Sequence, residues 1–304
     1  MITANSKLYT VKVYDLTLER KMANNFLKLL ETTYQEVEEQ WNVTISAIVT
    51  DASGETHKAC YDFVWKNSSV VVLDCYAHQI NLIVGNYFKH GCTSLKYTDM
   101  AEELIFWIQS KTMLLGLIQE EQIRQNKQPT TIICPVLTCW TAHLCAYQCL
   151  LSTKSVLIAV VATEVGKDEA NRLFTAGGDS KTKLKAKRMM NIIQDPLFWS
   201  SLQQVTHHLE PLGAAANVIQ VAFCWLDTVL ITFGYLFHMY SEMMIDYPED
   251  EDACTEIISS LEQCWSKADQ EPFIACLILN PLYQLSPFSP HIALHTATAL
   301  GLMK

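Results

Sequence analysis

The chain is poor in the features that mark most specialised sequence classes. It has only 10 glycines and 9 prolines in 304 residues, which excludes collagen-like and low-complexity chains. Positive charge is scarce as well. Lys and Arg total 22 against 32 Asp and Glu, a formal net charge of −10. The chain as a whole therefore does not attract nucleic acid, and any DNA contact must come from a local basic patch. No long clean apolar run is present. The most apolar stretch, 211–239, is interrupted by Asn217, Gln220 and Asp227, whereas a membrane span wants about 20 apolar residues. That stretch reads as a buried helix, and no membrane association is expected. The first twenty residues carry no apolar core behind a basic start, so they are not read as a signal peptide. The eleven cysteines are scattered, odd in number and without a Cys-x-x-Cys pair. They read as reduced thiols of an intracellular protein, nuclear or cytoplasmic. In that setting the glycosylation sequons at Asn42 and Asn67 are chance. There is no Gly-x-Ser-x-Gly elbow, no Walker loop and no Gly-x-Gly-x-x-Gly turn, which leaves no recognisable nucleophile or nucleotide cradle.

What is present is apolar: 50% of residues are hydrophobic and 18% charged. Area scaling for this length buries roughly three quarters of the unfolded surface, so a sizeable core is available and disorder is excluded as the main state. Aromatic residues, with 7 Trp, 12 Tyr and 11 Phe, favour well-defined packing.

The first ninety residues alternate between two periods. Residues 8–14 (LYTVKVY), 46–50 (SAIVT) and 70–74 (VVVLD) are short β-branched or apolar runs that predict strands of one small sheet. Between and after them, Met22, Phe26, Leu30, Tyr34 and Val37 recur at helical spacing and predict a helix over about 19–40. Further helices are predicted over about 55–66 and 75–89. This alternation implies a partly parallel sheet. From about residue 91 the strand signals stop; Leu104, Ile108, Leu115 and Ile118 predict one long helix, and Trp140–Leu151 and Cys254–Trp265 predict two more. Asp195-Pro196 predicts a helix start with Pro in the first turn. Gly177-Gly178 reads as a break. The acidic loop 246–252 is placed to cap the helix behind it. The expected organisation is α/β plus all-α, with 1–90 as one domain and 91–304 as a helical one.

Three groups of residues carry chemistry. Asp51 ends an apolar run at its carboxyl edge, where open α/β sheets place working residues. A carboxylate there can hold a divalent metal, and it also reads as a turn residue or helix cap. Cys75 and His78 follow the next apolar run and share a helix face at i and i+3. They read either as part of a metal set, which needs further ligands, or as a thiol and imidazole packed at the sheet–helix junction. Lys181, Lys183, Lys185, Lys187 and Arg188 form the one basic cluster. It reads as a phosphate contact or import signal, or as a solvated helix face.

Taken together, 47–55 (AIVTDASGE) and 72–85 (VLDCYAHQINLIVG) resemble the hAT superfamily of DNA transposases, in phrasing similar to fungal copies. Thr138-Cys139-Trp140 resembles the family's Thr-Arg-Trp segment at the start of a helical insertion. Segments 195–199 (DPLFW) and 279–283 (LNPLY) also resemble that group. The resemblance runs over roughly residues 1–290. It implies an RNase H-like catalytic domain split by a large helical insertion, in which three carboxylates hold two Mg²⁺ or Mn²⁺ ions for DNA cleavage and strand transfer. Asp51 matches the second carboxylate. The first, in an Asp-Gly-Trp-like segment, and the third, a Glu in a Ser-x-Glu-Arg-like segment, have no match, and position 139 is Cys in place of Arg.

The chain is therefore expected to be a truncated transposase-derived protein. Its RNase H-like sheet is expected to be incomplete, with a helical insertion domain behind it and no DNA cleavage of its own. No bound cofactor is expected, with Mg²⁺ or Mn²⁺ needed for any surviving activity. The expected partners are DNA, bound weakly through the lysine cluster, or a second copy or transposase-related protein. Two alternatives stand beside this reading. One is an active metal-dependent transposase or nuclease, and the other is a domesticated interaction protein acting through helical surfaces.

Overall fold

The computed structural model describes residues 2–4, 7–14, 22–51, 54–91, 93–135, 140–168, 172–174, 179–221 and 224–283. The chain is mostly helical, at 75%, with a two-stranded parallel sheet near its front. Gly177-Gly178 and the Thr138-Cys139 part of the tryptophan segment lie outside the described residues. Among the described residues no single helix is long and apolar enough to cross a membrane.

The chain divides into two compact units. One holds 1–86 together with 214–304, and the other holds 87–213. The first unit starts with a hairpin, β1 (Ile2–Ala4) and β2 (Lys7–Tyr9), paired antiparallel with Ile2 opposite Tyr9. α1 (Ala23–Trp41) follows and stops at Asn42, whose φ of 48° lies in the left-handed region that Asn tolerates. β3 (Ala47–Thr50) then leads through α2 (Gly54–Lys66) to β4 (Val71–Asp74), and α3 (Tyr76–His90) leaves the sheet. β3 and β4 are parallel, in the register Ala47↔Val71 to Thr50↔Asp74. Parallel strands need a crossover, and α2 supplies it. α2 packs on α1 through the edge-to-face pair Tyr34–Phe63, 5.3 Å between centroids. Glu55, in the first turn of α2, accepts the Ala23 N–H at 3.0 Å, so its carboxylate meets an orphan donor at the positive end of α1.

The sequence reading of one sheet with a strand over 8–14 needs correction. The strand there covers only Lys7–Tyr9, and the hairpin and the β3–β4 pair are separate sheets. Alternation at Val11 and Val13 suggests a pleated strand, but the neighbouring side chains are committed to α1. Lys12 pairs with Glu36 at 2.7 Å, and the Tyr14 hydroxyl shares a hydrogen bond with Thr33 Oγ1 at 2.9 Å. Val13 is left 84% exposed, so no face of this segment is available to drive strand packing.

The first unit is completed by three helices: α10 (Leu226–Asp246), α11 (Glu251–Lys267) and α12 (Glu271–Leu279). They close on α3 through an aromatic cluster. Tyr76 stands edge-on to Phe233 at 5.3 Å and to Phe273 at 4.9 Å, and Trp265 meets Phe273 at 5.9 Å. Phe273 is fully buried. The resemblance implies a split domain, but the expected boundaries put all of 91–304 in the helical domain, and the return at Ala214 falls inside that span.

The second unit is helical: α4 (Lys96–Gln109), α5 (Thr112–Arg124), α6 (Trp140–Ser152), α7 (Lys154–Val165), α8 (Ser180–Gln194) and most of α9 (Pro196–Ile219). The one long helix expected through 104–118 is broken into α4 and α5 by the extended backbone of Lys111. Its core is a single cluster that includes Leu104, Ile108, Leu150, Val156, Met189, Phe198 and Trp199. Pro196 opens α9 as its sequence predicts, and the Asp195 carboxylate accepts the Leu197 N–H at 2.9 Å. The buried Trp199 indole donates to the Ile193 carbonyl at 2.8 Å, which satisfies its one polar atom. A Cβ at Gly213 would stand 2.6 Å from Leu144 Cδ2, so any larger residue there would have to displace that side chain.

Candidate functional site

The carboxyl ends of β3 and β4 bring two sequence motifs together. Thr50 lies opposite Asp74, and the Cys75 N–H donates to the Thr50 carbonyl at 2.6 Å. Asp51 and Cys75 are therefore the first residues beyond the same sheet edge. Asp51 is exposed. Cys75 is half-buried and precedes α3, with its carbonyl accepting the Gln79 N–H at 3.1 Å, and His78 is half-buried in the first turn.

A pair of divalent ions needs several carboxylates converging on one point. Asp74 is the nearest candidate in the ladder, but its carboxylate already has partners. Gln79 Nε2 donates to Oδ2 at 3.4 Å, and His57 Nδ1 lies 3.7 Å from Oδ1. Among the described residues no group of three His, Cys, Asp or Glu side chains is placed to hold a metal ion. The donor set around Asp51 does not fit the two-ion centre that the resemblance implies, and Cys75 and His78 do not gather two further ligands.

The same edge carries residues that the motif reading passed over. Cys60 on α2 is buried, and its sulfur lies 3.4 Å from Thr50 Oγ1. Burial pushes its thiol pKa up against a smaller opposing effect of Thr50, and the carboxylates of Asp74 and Asp51 add to the rise. A thiol held protonated is a poor nucleophile. Burial likewise raises the Tyr76 hydroxyl, helped by Asp74. Asp74 is level with Thr50 in the ladder, one residue short of the position beside Asp51.

The lysine cluster lies on α8. Lys181, Lys183, Lys185 and Lys187 are exposed, and Asp179 caps the helix by accepting the Thr182 N–H at 2.8 Å. Arg188 differs from them, because its guanidinium pairs with Glu103 at 2.7 Å. The residues that face inward are Ala186, Met189, Met190, Ile192 and Ile193. Trp140 opens α6, half-buried. One turn on, His143 Nδ1 pairs with Glu102 at 2.9 Å, and the Tyr147 hydroxyl donates to the same oxygen at 3.1 Å. Asn280, in the segment 279–283, donates to the buried Asp227 carboxylate at the start of α10.

No family model, curated protein or solved structure matches the chain.

Proposed function

We propose that the chain derives from DNA transposases of the hAT type and does not itself cut or join DNA. One observation carries the reading. The β3–α2–β4–α3 run, with Asp51 after β3 and Cys75 and His78 opening α3, belongs to a compact unit that the chain leaves after residue 86 and re-enters at Ala214. A domain interrupted by a helical insertion is the organisation that the resemblance implies. In this reading β3 and β4 are strands of an RNase H-like sheet, and Asp51 is the remnant of its metal-binding carboxylate.

The loss of cleavage rests on the donor set. Among the described residues no further carboxylates converge on Asp51 as two ions require, and no catalytic step is derived through it. DNA contact then falls to the lysines of α8, which present charge to phosphate without base recognition. A nuclear or cytoplasmic location follows from the same reading.

The test is incubation of the purified chain with supercoiled plasmid and Mg²⁺ or Mn²⁺. The expected result is no nicking above buffer. Metal-dependent cleavage that Asp51→Ala abolishes would overturn the reading.

A further inference from the structure

In a parallel ladder alternate residues of a strand bond to one neighbour and the residues between them point the other way. The Val71 N–H donates to the Ser46 carbonyl and the Cys75 N–H to the Thr50 carbonyl. Residues 71, 73 and 75 therefore face β3, and the N–H and C=O groups of Val72 and Asp74 face away from it. Among the described residues β4 pairs with β3 alone. This free edge runs along a cavity of about 340 Å³ in the first unit, which is lined by Val72, Leu73 and Asp74. The lining also takes in Tyr61 and Val64 of α2 and Lys267, Asp269 and Phe273 at the α11–α12 junction.

Alternating donors and acceptors along a strand edge are complementary to another extended backbone. The apolar and aromatic side chains of the lining supply seats for its side chains. Charge narrows the occupant further. The lining holds two carboxylates, Asp74 and Asp269, against one ammonium, Lys267, so its formal balance is negative. Asp269 is exposed and has no ion-pair partner among the described residues, whereas Asp74 has His57 beside it. The chain as a whole carries −10, which draws in cations and repels anions. We propose that this cavity docks an extended, basic peptide segment of a partner protein, which adds a strand to the free edge of β4 and places a lysine or arginine at Asp269. The proposal stands independently of descent from transposases.

The test uses the full chain and two capped tetrapeptides of sequence Thr-Val-Lys-Val. One is unmodified, and the other is N-methylated at the alternate amides that would bond to the edge. Binding is followed by NMR at the backbone N–H groups of Val72 and Asp74. The unmodified peptide is expected to shift both signals saturably, and N-methylation to weaken binding by roughly tenfold or more. Asp269→Asn is expected to weaken it several-fold and to flatten its salt dependence. Equal binding of the methylated peptide, shifts that leave Val72 and Asp74 untouched, or no binding up to about 5 mM would each overturn strand addition. An affinity unchanged by Asp269→Asn would overturn the basic character of the segment.

Discussion

Thr50 and Asp74 are ladder partners at the carboxyl ends of β3 and β4, and the Cys75 N–H closes the pairing on the Thr50 carbonyl at 2.6 Å. This register places Asp51 and Cys75 at one edge of one sheet, although α2 separates them in sequence. It also sends Asp74 to His57 and Gln79, which leaves Asp51 as an exposed carboxylate beyond the sheet.

The aromatic cluster of the first unit turns on Phe273, which is fully buried between Tyr76 and Trp265. Phe273→Ala removes a ring from a packed site and leaves a cavity. The expected loss is about 3–5 kcal/mol, read as a lower urea midpoint at unchanged slope. A change below about 1 kcal/mol would show that α12 does not hold this unit together.

Cys254 gives a pH dependence. It is fully buried, and burial pushes its thiol up to about 12, with Asp250 adding to the rise. A thiol in the unfolded chain titrates near 8.5. The folded pKa is raised, so the fold prefers the neutral thiol. That contribution is fully present below about pH 8.5 and is lost as the pH climbs towards 12. Wild type should therefore lose stability relative to Cys254→Ala across that window in urea unfolding. Alkylation at pH 8 should label the exposed Cys134 and Cys145 and spare Cys254 until the chain unfolds. Early labelling of Cys254 would contradict its burial.

The α8 lysines set the DNA prediction. Lys181, Lys183, Lys185 and Lys187 have no ion-pair partner among the described residues, and four ammonium groups allow only a few phosphate contacts, so log K should fall with log salt at a slope of roughly −2 to −4. Replacing Lys181, Lys183, Lys185 and Lys187 with Gln should abolish binding to random-sequence duplex. Arg188→Gln should change it little, because Glu103 already occupies that guanidinium. Tight binding to one defined sequence, or binding indifferent to the four substitutions, would refute this route.

Much of the architecture was legible because it rests on local signals. The runs at 46–50 and 70–74 are short, β-branched and bounded by turn residues, and they form β3 and β4 within a residue of their expected ends. The helix expected at 19–40 forms over Ala23–Trp41, since Phe26, Leu30, Tyr34 and Val37 share one face. Residues 8–14 misled because alternation at Val11 and Val13 records a pleat-compatible pattern, whereas strand pairing depends on a neighbour that the pattern does not name. The return at Ala214 was not legible for a related reason. α9 runs unbroken from Pro196 to Ile219 through the change of unit, so no loop or composition shift marks it. At the site, Asp51, Cys75 and His78 were found from motifs. The partnership of Asp74 with His57 depends on tertiary packing of α2 against β4, which spacing along the chain does not encode.

The central claim is that Asp51 does not belong to a two-ion centre, and a Mn²⁺ titration followed by electron paramagnetic resonance tests it without any assumption about DNA substrate. The account predicts no site tighter than about 1 mM and identical titrations for wild type and Asp51→Ala. Two Mn²⁺ ions bound at micromolar affinity and lost in Asp51→Ala would contradict it.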